Sequence, residues 1–184
     1  MEFKEYTEGE GDENFKLSRL QIGYVPDEVY NSARDTLSRG CHDIFLRVTS
    51  QEGKEGILLI TRQREPMKGI LWSVGGGIKR GVSIKESLRN LVRQECNLEI
   101  KGKIYYINTA RFFFRTNPSG SGKGVDDLTE VFYAAGNGQI KLDELHNNPM
   151  IITREKYTDI KERLHLYVRD NITKIFMKFW WEDF

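Results

Sequence analysis

A glutamate on the apolar face of a helix is the feature that most constrains this chain. After Ser83, residues Ile84, Leu88 and Val92 recur at helical spacing. At roughly 100° per residue, Glu95 falls on the same stripe. A buried carboxylate is costly unless it is paired or binds a metal. We therefore expect Glu95 to bind a metal, and the alternatives are pairing with an arginine or a position near solvent.

The helix directly follows a glycine-rich segment. Residues 75–77 are three consecutive glycines, and Gly81 ends a short loop. Ser83 and Glu86 have the spacing of a capping box, and Asn97 suits the end of the helix. Glycine permits close approach of a ligand to the backbone, so Gly75 is a candidate contact for phosphate or metal, although the glycines also fit a simple bend.

Composition and charge exclude several classes of protein. The chain has 184 residues, 28 basic and 27 acidic, which gives a net charge of +1. This balance argues against nucleic acid as the main partner. Cys41 and Cys96 form no disulfide framework or metal-like spacing, which indicates a reducing cytoplasm. No apolar run is long enough to span a membrane.

The remaining pattern predicts one α/β domain, an α+β sandwich of a mixed sheet flanked by helices. Residues 1–23 are expected to be a flexible tail and 24–184 the domain, with a short helix from Pro26. We predict strands at 42–49, 56–62, 70–74, 103–116 and 128–135, with connections at 117–127 (a flexible loop) and 137–150.

A long amphipathic helix is predicted at about 154–180. The aromatic end F-W-W-E-D-F is expected to pack on the body or on a second subunit, as in a homodimer.

The central stretch resembles a Nudix box, whose family pattern is G-x5-E-x7-R-E-U-x-E-E-x-G-U, where U is a bulky aliphatic residue. Aligned on Gly76, the sequence keeps Val92, Glu95 and Leu98. It departs from the pattern at Val82, Asn90, Leu91, Gln94 and Asn97. The resemblance implies a Nudix fold and Mg²⁺ (or Mn²⁺) held by glutamate. With three of the four box glutamates replaced, hydrolysis with several metals is not expected.

Within this family the chain is similar to GDP-mannose mannosyl hydrolases, which release a nucleoside diphosphate from the anomeric carbon. The likeness covers roughly residues 24–150. It implies that Glu95 and the Gly75 carbonyl bind the metal, that Asp43 and Arg62 bind substrate, and that His146 in D-E-L-H-N-N is the general base. Leu145 stands where that branch has a metal-binding glutamine. One of Asp126, Asp127 and Glu130 is a candidate replacement ligand.

The sequence thus predicts a Mg²⁺-assisted hydrolase that acts on a nucleoside diphosphate derivative such as a nucleotide sugar, first of all a GDP-mannose-like one. Two alternatives stay open. One is a pyrophosphatase that splits the diphosphate. The other is a Nudix-like module that binds a nucleotide or a protein without catalysis.

Overall fold

A mixed seven-stranded sheet forms the centre of the fold in the computed structural model, which describes residues 3–6 and 16–180. Its main path has the order β3-β2-β1-β6-β5, with β4 paired to β1 and β7 paired to β2. The strands are β1 (Arg39–Thr49), β2 (Glu55–Arg62), β3 (Leu71–Trp72), β4 (Val74–Gly77), β5 (Glu99–Phe114), β6 (Val125–Asn137) and β7 (His146–Ile152). β1 and β6 are parallel, and the other pairs are antiparallel. The predicted α+β sandwich is confirmed.

Helices cover both faces of this sheet. The helices are α1 (Asp27–Thr36), α2 (Ile84–Cys96), α3 (Arg154–Ile160) and α4 (Leu166–Lys174). Alternate residues of β1 point to opposite faces, so Ile44 and Leu46 join the core beneath α2, whereas Phe45 joins the core beneath α4. Central strands buried on both faces explain the continuous apolar runs in β1 and β2.

Both ends of α2 follow the sequence prediction. The Ser83 side chain accepts a hydrogen bond from the Glu86 N–H at 3.3 Å. Asn97 adopts the left-handed conformation, with φ 57°, at the C-terminus. The caps fix where the helix begins and ends, and the last full turn therefore brings Glu95 to the sheet. Glu95 is 9% exposed, which confirms its burial.

The C-terminal region is helical but is not the one long helix predicted for 154–180. After α3, a 3₁₀ turn (Lys161–Arg163) is followed by an extended residue, Leu164. His165 then caps α4 by accepting from the Tyr167 N–H, and a π-helical segment, Ile175–Phe179, follows. Trp180 packs on the body, 8% exposed. Residues 181–184 lie outside the described residues, and the homodimer stays a prediction.

One predicted connection is wrong in detail. Residues 146–150, placed in the connection 137–150 by the sequence, belong to β7, which pairs with β2. The loop predicted to be flexible is held by Asn117, which is 7% exposed and donates to Asp35 at 2.7 Å and to the Gly124 carbonyl at 3.0 Å. These two hydrogen bonds fix the start of the loop, and the flexibility predicted from its polar, glycine-rich composition stays a prediction.

The segment predicted to be a free tail contacts the domain where it is described. Phe3 packs edge-on against Phe132, and Glu5 accepts a hydrogen bond from the Ile84 N–H at 2.9 Å. Gln21 donates to the Gly81 carbonyl at 3.1 Å. Residues 7–15 lie outside the described residues. No helix in the described part of the chain is long and apolar enough to cross a membrane.

Candidate active site

The glycine strand β4 lies directly against β1, and this pairing creates the site. Gly75 is opposite Asp43 in the antiparallel register. A Cβ added at Gly75 would lie 1.9 Å from Asp43 Oδ1, so only glycine lets the carboxylate sit against the strand. A Cβ added at Gly76 would lie 3.5 Å from Leu91 Cδ1, which is an ordinary van der Waals contact. The requirement for glycine is therefore specific to position 75.

Glu95 approaches the glycine strand from α2. The backbone N–H of Gly75 donates a hydrogen bond to its carboxylate. Its Oε2 atom is buried and has no hydrogen-bond partner among the described residues. Burial raises the pKa of Glu95 to about 8, and the charge of Asp143 adds to this, while the Gly75 N–H and Arg62 oppose it. The side chain is therefore largely protonated at neutral pH unless a cation binds.

His146 faces this carboxylate from the start of β7. Its Nε2 lies 3.9 Å from Glu95 Oε2, too far for a hydrogen bond but close enough for both atoms to contact one small ligand. Its Nδ1 is 2.7 Å from Asp143 Oδ1. The His146 side chain is 9% exposed. The structure thus brings together the predicted base and the predicted metal ligand.

Arg62 completes the group because it is the cross-strand neighbour of His146 in the β2–β7 pairing. Its Nε is buried and has no hydrogen-bond partner in the described part of the chain. Its charge favours the ionised forms of both Asp43 and Glu95. Arg62 is half-buried, and a guanidinium with an unused N–H is suited to binding an anion, since phosphate oxygens match its geometry.

Asp43 is held by the protein itself. Its Oδ2 accepts hydrogen bonds from Trp72 Nε1 at 3.1 Å, Ser73 Oγ at 3.1 Å and Tyr167 Oη at 2.8 Å. Burial raises its pKa, and these three donors oppose the shift. The three hydrogen bonds, from β3, from the residue after it and from α4, therefore fill the acceptor capacity of Oδ2. The predicted substrate contact stays a prediction, and Oδ1 is the oxygen beside Gly75.

A small cleft of about 110 Å³ opens beside this group. Aromatic rings of Trp72, Phe112 and Phe114 line it together with Arg62. Arg39 also lines it and binds Asp127 in a bidentate pair at 2.9 and 2.7 Å. The cleft combines aromatic walls with two arginines, which suits a flat polar ligand that carries negative charge.

The donors fit one magnesium ion bound together with a phosphate, and they do not form a complete protein cage. Glu95 Oε2 is a buried oxygen with no hydrogen-bond partner in residues 3–6 and 16–180, and Mg²⁺ commonly binds one or two carboxylates plus substrate phosphates. Within the described residues, no three His, Cys, Asp or Glu side chains converge to hold a metal. Leu145 is 38% exposed and offers no side-chain ligand.

The three acids predicted as replacement metal ligands do not lie at Glu95. Asp127 pairs with Arg39, and Asp126 pairs with Arg111 at 2.8 Å. Glu130 is half-buried in β6, and burial with the nearby charge of Glu5 raises its pKa. None of the three joins Glu95. The acid that does lie near Glu95 is Asp143, which the sequence reasoning did not select, although its position three residues before His146 was a usable signal.

The fold matches solved structures, whereas neither the scan of family models nor the search of curated proteins gives a match. The NUDIX domain of Shewanella oneidensis NrtR, solved with ADP ribose, aligns at TM-score 0.60 and 13% identity over 84% of this chain and 99% of that domain. The chain has the Nudix fold. A MutT protein from Methanosarcina mazei Go1 aligns at TM-score 0.57 and 17% identity over 77% of this chain and 96% of that chain.

A third similar structure contains a metal. It is a bifunctional NMN adenylyltransferase/ADP ribose pyrophosphatase from Francisella tularensis, complexed with AMP and a Mn ion. It aligns at TM-score 0.57 and 14% identity over 82% of this chain, and this chain spans 44% of its length. These likenesses establish the Nudix fold of the chain.

Proposed function

We propose that the protein is a hydrolase that acts on a nucleoside diphosphate derivative, most simply a nucleotide sugar such as a GDP-hexose. The observation that carries this proposal is the convergence of three groups at the glycine strand. Among the described residues, Glu95 Oε2 and Arg62 Nε have no hydrogen-bond partner and could bind a cation and a phosphate, and His146 Nε2 lies 3.9 Å from Glu95 Oε2. ADP ribose, found in the NrtR domain of the same fold, belongs to the same chemical class.

In the proposed reaction, His146 Nε2 takes a proton from a water molecule as its oxygen attacks the anomeric carbon. The carbon–oxygen bond to the diphosphate breaks, and its electron pair leaves with the nucleoside diphosphate. Arg62 binds phosphate oxygens and offsets the charge that develops on them. Histidine titrates near neutrality and is suited to this proton transfer, which typically contributes about 10²–10⁴-fold in rate.

Magnesium or manganese would be held by Glu95, with the Gly75 carbonyl as the predicted second protein ligand. When bound, the ion would neutralise charge on the diphosphate. The Gly75 N–H orients the glutamate, and the pairing of β4 with β1 fixes that donor. The buried surroundings keep the site poor in water, which strengthens these interactions.

A panel of nucleotide sugars, including GDP-mannose and ADP-ribose, tests the proposal in the presence of Mg²⁺. We expect free sugar plus nucleoside diphosphate, with turnover at least 10²-fold lower in His146→Ala. Glu95→Gln should also lose activity, whereas the exposed neighbour Gln94→Ala should keep it. Absence of turnover with every compound, by a correctly folded protein, would contradict the proposal. A nucleoside monophosphate product would instead support the pyrophosphatase alternative.

The second candidate function is a nucleotide-binding module without catalysis. The observation that favours it is Leu145, an exposed apolar side chain beside His146 where a polar metal ligand is expected. Calorimetry separates the two functions. Binding of a nucleotide without Mg²⁺ and without turnover supports the module, whereas binding that requires Mg²⁺ and Glu95 supports the hydrolase.

A further inference from the structure

We infer that Asp143 is a positioning residue for His146: it fixes which imidazole nitrogen carries the proton and keeps Nε2 directed at Glu95. The inference rests on the proposed function, because His146 is the proposed base. The contact that carries it is the 2.7 Å hydrogen bond between His146 Nδ1 and Asp143 Oδ1. Both side chains are largely buried, at 9% and 22% exposure, so water competes little for this bond.

The direction of the bond follows from a second contact. Asp143 Oδ1 also accepts a hydrogen bond from the Leu145 N–H at 3.0 Å, so this oxygen acts as an acceptor. The histidine nitrogen that faces it is therefore the donor, and the proton of the neutral imidazole sits on Nδ1. Nε2 then carries the lone pair, and Nε2 is the nitrogen that lies 3.9 Å from Glu95 Oε2. A base needs that lone pair on the side where the attacking water gives up its proton.

Asp143 is itself anchored to the helix that carries Glu95. Its backbone N–H donates to the Glu95 carbonyl at 3.1 Å, and the Lys141 N–H donates to the Cys96 carbonyl at 3.0 Å. On the other side, the Leu145 carbonyl accepts from the Gln63 N–H at 2.9 Å, next to Arg62. The loop is thus tied both to the end of α2 and to the end of β2. These hydrogen bonds fix the positions of the proposed base His146, the proposed metal ligand Glu95 and Arg62 relative to one another.

The Asp143–His146 pair has the parts of an oriented base: a carboxylate, an imidazole that donates to it, and a second imidazole nitrogen that faces Glu95. A purely local role is the competing explanation, since Asp143 also closes a turn through the Leu145 N–H. The two roles differ in what they change. Loss of a turn contact lowers stability, whereas loss of the orienting carboxylate changes the tautomer of His146 and the catalytic step.

The tautomer is measured directly by ¹⁵N NMR of the imidazoles, recorded at a pH where they are neutral. The chain has three histidines, so His146 is assigned by comparison with His146→Ala. In the wild type we expect Nδ1 to be protonated and Nε2 unprotonated. In Asp143→Ala we expect a shift towards the form protonated at Nε2. Asp143→Asn keeps an acceptor oxygen for both donors, so we expect it to keep the wild-type tautomer.

The kinetic arm uses the same variants. Asp143→Ala should lower kcat by about 10–100-fold with KM changed by no more than a few-fold, as expected for loss of an orienting partner. Asp143→Asn should lie between Asp143→Ala and wild type, and Glu144→Gln, an exposed neighbour, should match wild type. Adding Asp143→Ala to His146→Ala should cause no further loss, because the two residues act as a unit.

The NMR arm separates failure of this inference from failure of the proposed function, because it requires no substrate. A wild-type His146 protonated at Nε2 would overturn the inference. So would an Asp143→Ala variant that keeps both the wild-type tautomer and the wild-type kcat. If the tautomer shifts as expected but no nucleotide sugar is hydrolysed by the wild type, the positioning role stands and the hydrolase proposal fails.

Discussion

Tyr167 Oη donates a 2.8 Å hydrogen bond to Asp43 Oδ2 across 124 residues of sequence. The bond joins α4 to the strand that borders the glycine segment. Trp72 stacks on the Tyr167 ring with centroids 4.9 Å apart and donates to the same carboxylate oxygen. Helix α4 therefore helps to position Asp43 and does more than cover the sheet.

Tyr167→Phe removes one of the three donors to a buried carboxylate. We expect the free energy of unfolding to fall by about 1–3 kcal/mol, because hydrogen bonds to charged or buried groups are costly to lose. Urea unfolding measures this. Tyr157→Phe is the matched control, since its hydroxyl bonds Thr173 at the α3–α4 contact, outside the site. Both variants should lose stability, but only Tyr167→Phe should lower turnover, and equal turnover in the two would contradict this role.

Gly75→Ala places a methyl group against the Asp43 carboxylate. The added Cβ would lie 1.9 Å from Oδ1, so the strand or the carboxylate must move. Overpacking of this kind costs about 1–3 kcal/mol, and the displacement should also abolish most activity. Gly76→Ala is the control, because its Cβ meets only Leu91 at 3.5 Å. If both variants unfold at the same urea concentration and retain equal activity, the close approach at position 75 is unimportant.

Glu95 makes stability depend on pH in the absence of divalent ions. Its pKa is about 8 in the folded protein, whereas the ordinary value is 4.5. Between these two pH values the folded state therefore keeps a proton on Glu95 that the unfolded state has released. The free energy of unfolding should therefore fall as pH rises from about 5 to 8.5, by an amount on the order of a few kcal/mol. Glu95→Gln cannot ionise, so its unfolding should lack this decline.

Urea unfolding of both proteins at pH 5, 7 and 8.5 in a chelating agent measures this effect. Mg²⁺ should restore part of the wild-type stability at pH 8.5, because it binds the ionised carboxylate, and should have no such effect on Glu95→Gln. Identical pH dependence in wild type and variant would show that Glu95 ionises freely.

Phe3 attaches the N-terminal segment to the domain. Its ring packs against Phe132 and Tyr106, with centroids 5.6 and 6.0 Å apart. Phe3→Ala should lower the thermal midpoint by a few degrees, an effect of about 1–2 kcal/mol from lost apolar burial. Tyr6→Ala, 84% exposed, should leave the midpoint unchanged. A midpoint for Phe3→Ala equal to that of wild type would show that the segment adds nothing to stability.

Local signals predicted the elements well where they agreed with the tertiary structure. Ser83, Asn97 and the stripe around Glu95 act through short-range geometry, so the sequence predicted the ends and burial of α2. The sequence did not predict β7, because Pro149 and the polar residues around it are typical of a loop. Only pairing with the apolar strand β2 makes this segment a strand, and such pairing is not visible in local composition.

The candidate site was predictable only in part, for a related reason. Glu95, His146 and Arg62 stood out by residue type and motif, and the structure brings them together. The Tyr167 donor lies 124 residues from its acceptor, and no spacing rule connects them. The break at His165 was hidden because the apolar stripe continues through it at nearly helical spacing.

Hydrolysis in ¹⁸O-labelled water, with the products separated by mass spectrometry, tests the central claim most directly. The account predicts that a nucleotide sugar incubated with Mg²⁺ gives ¹⁸O in the released sugar and none in the nucleoside diphosphate. It also predicts that the rate at which labelled sugar forms falls at least 10²-fold in His146→Ala. Label in a phosphate of the nucleotide product, or labelled sugar formed at the wild-type rate by His146→Ala, would contradict it.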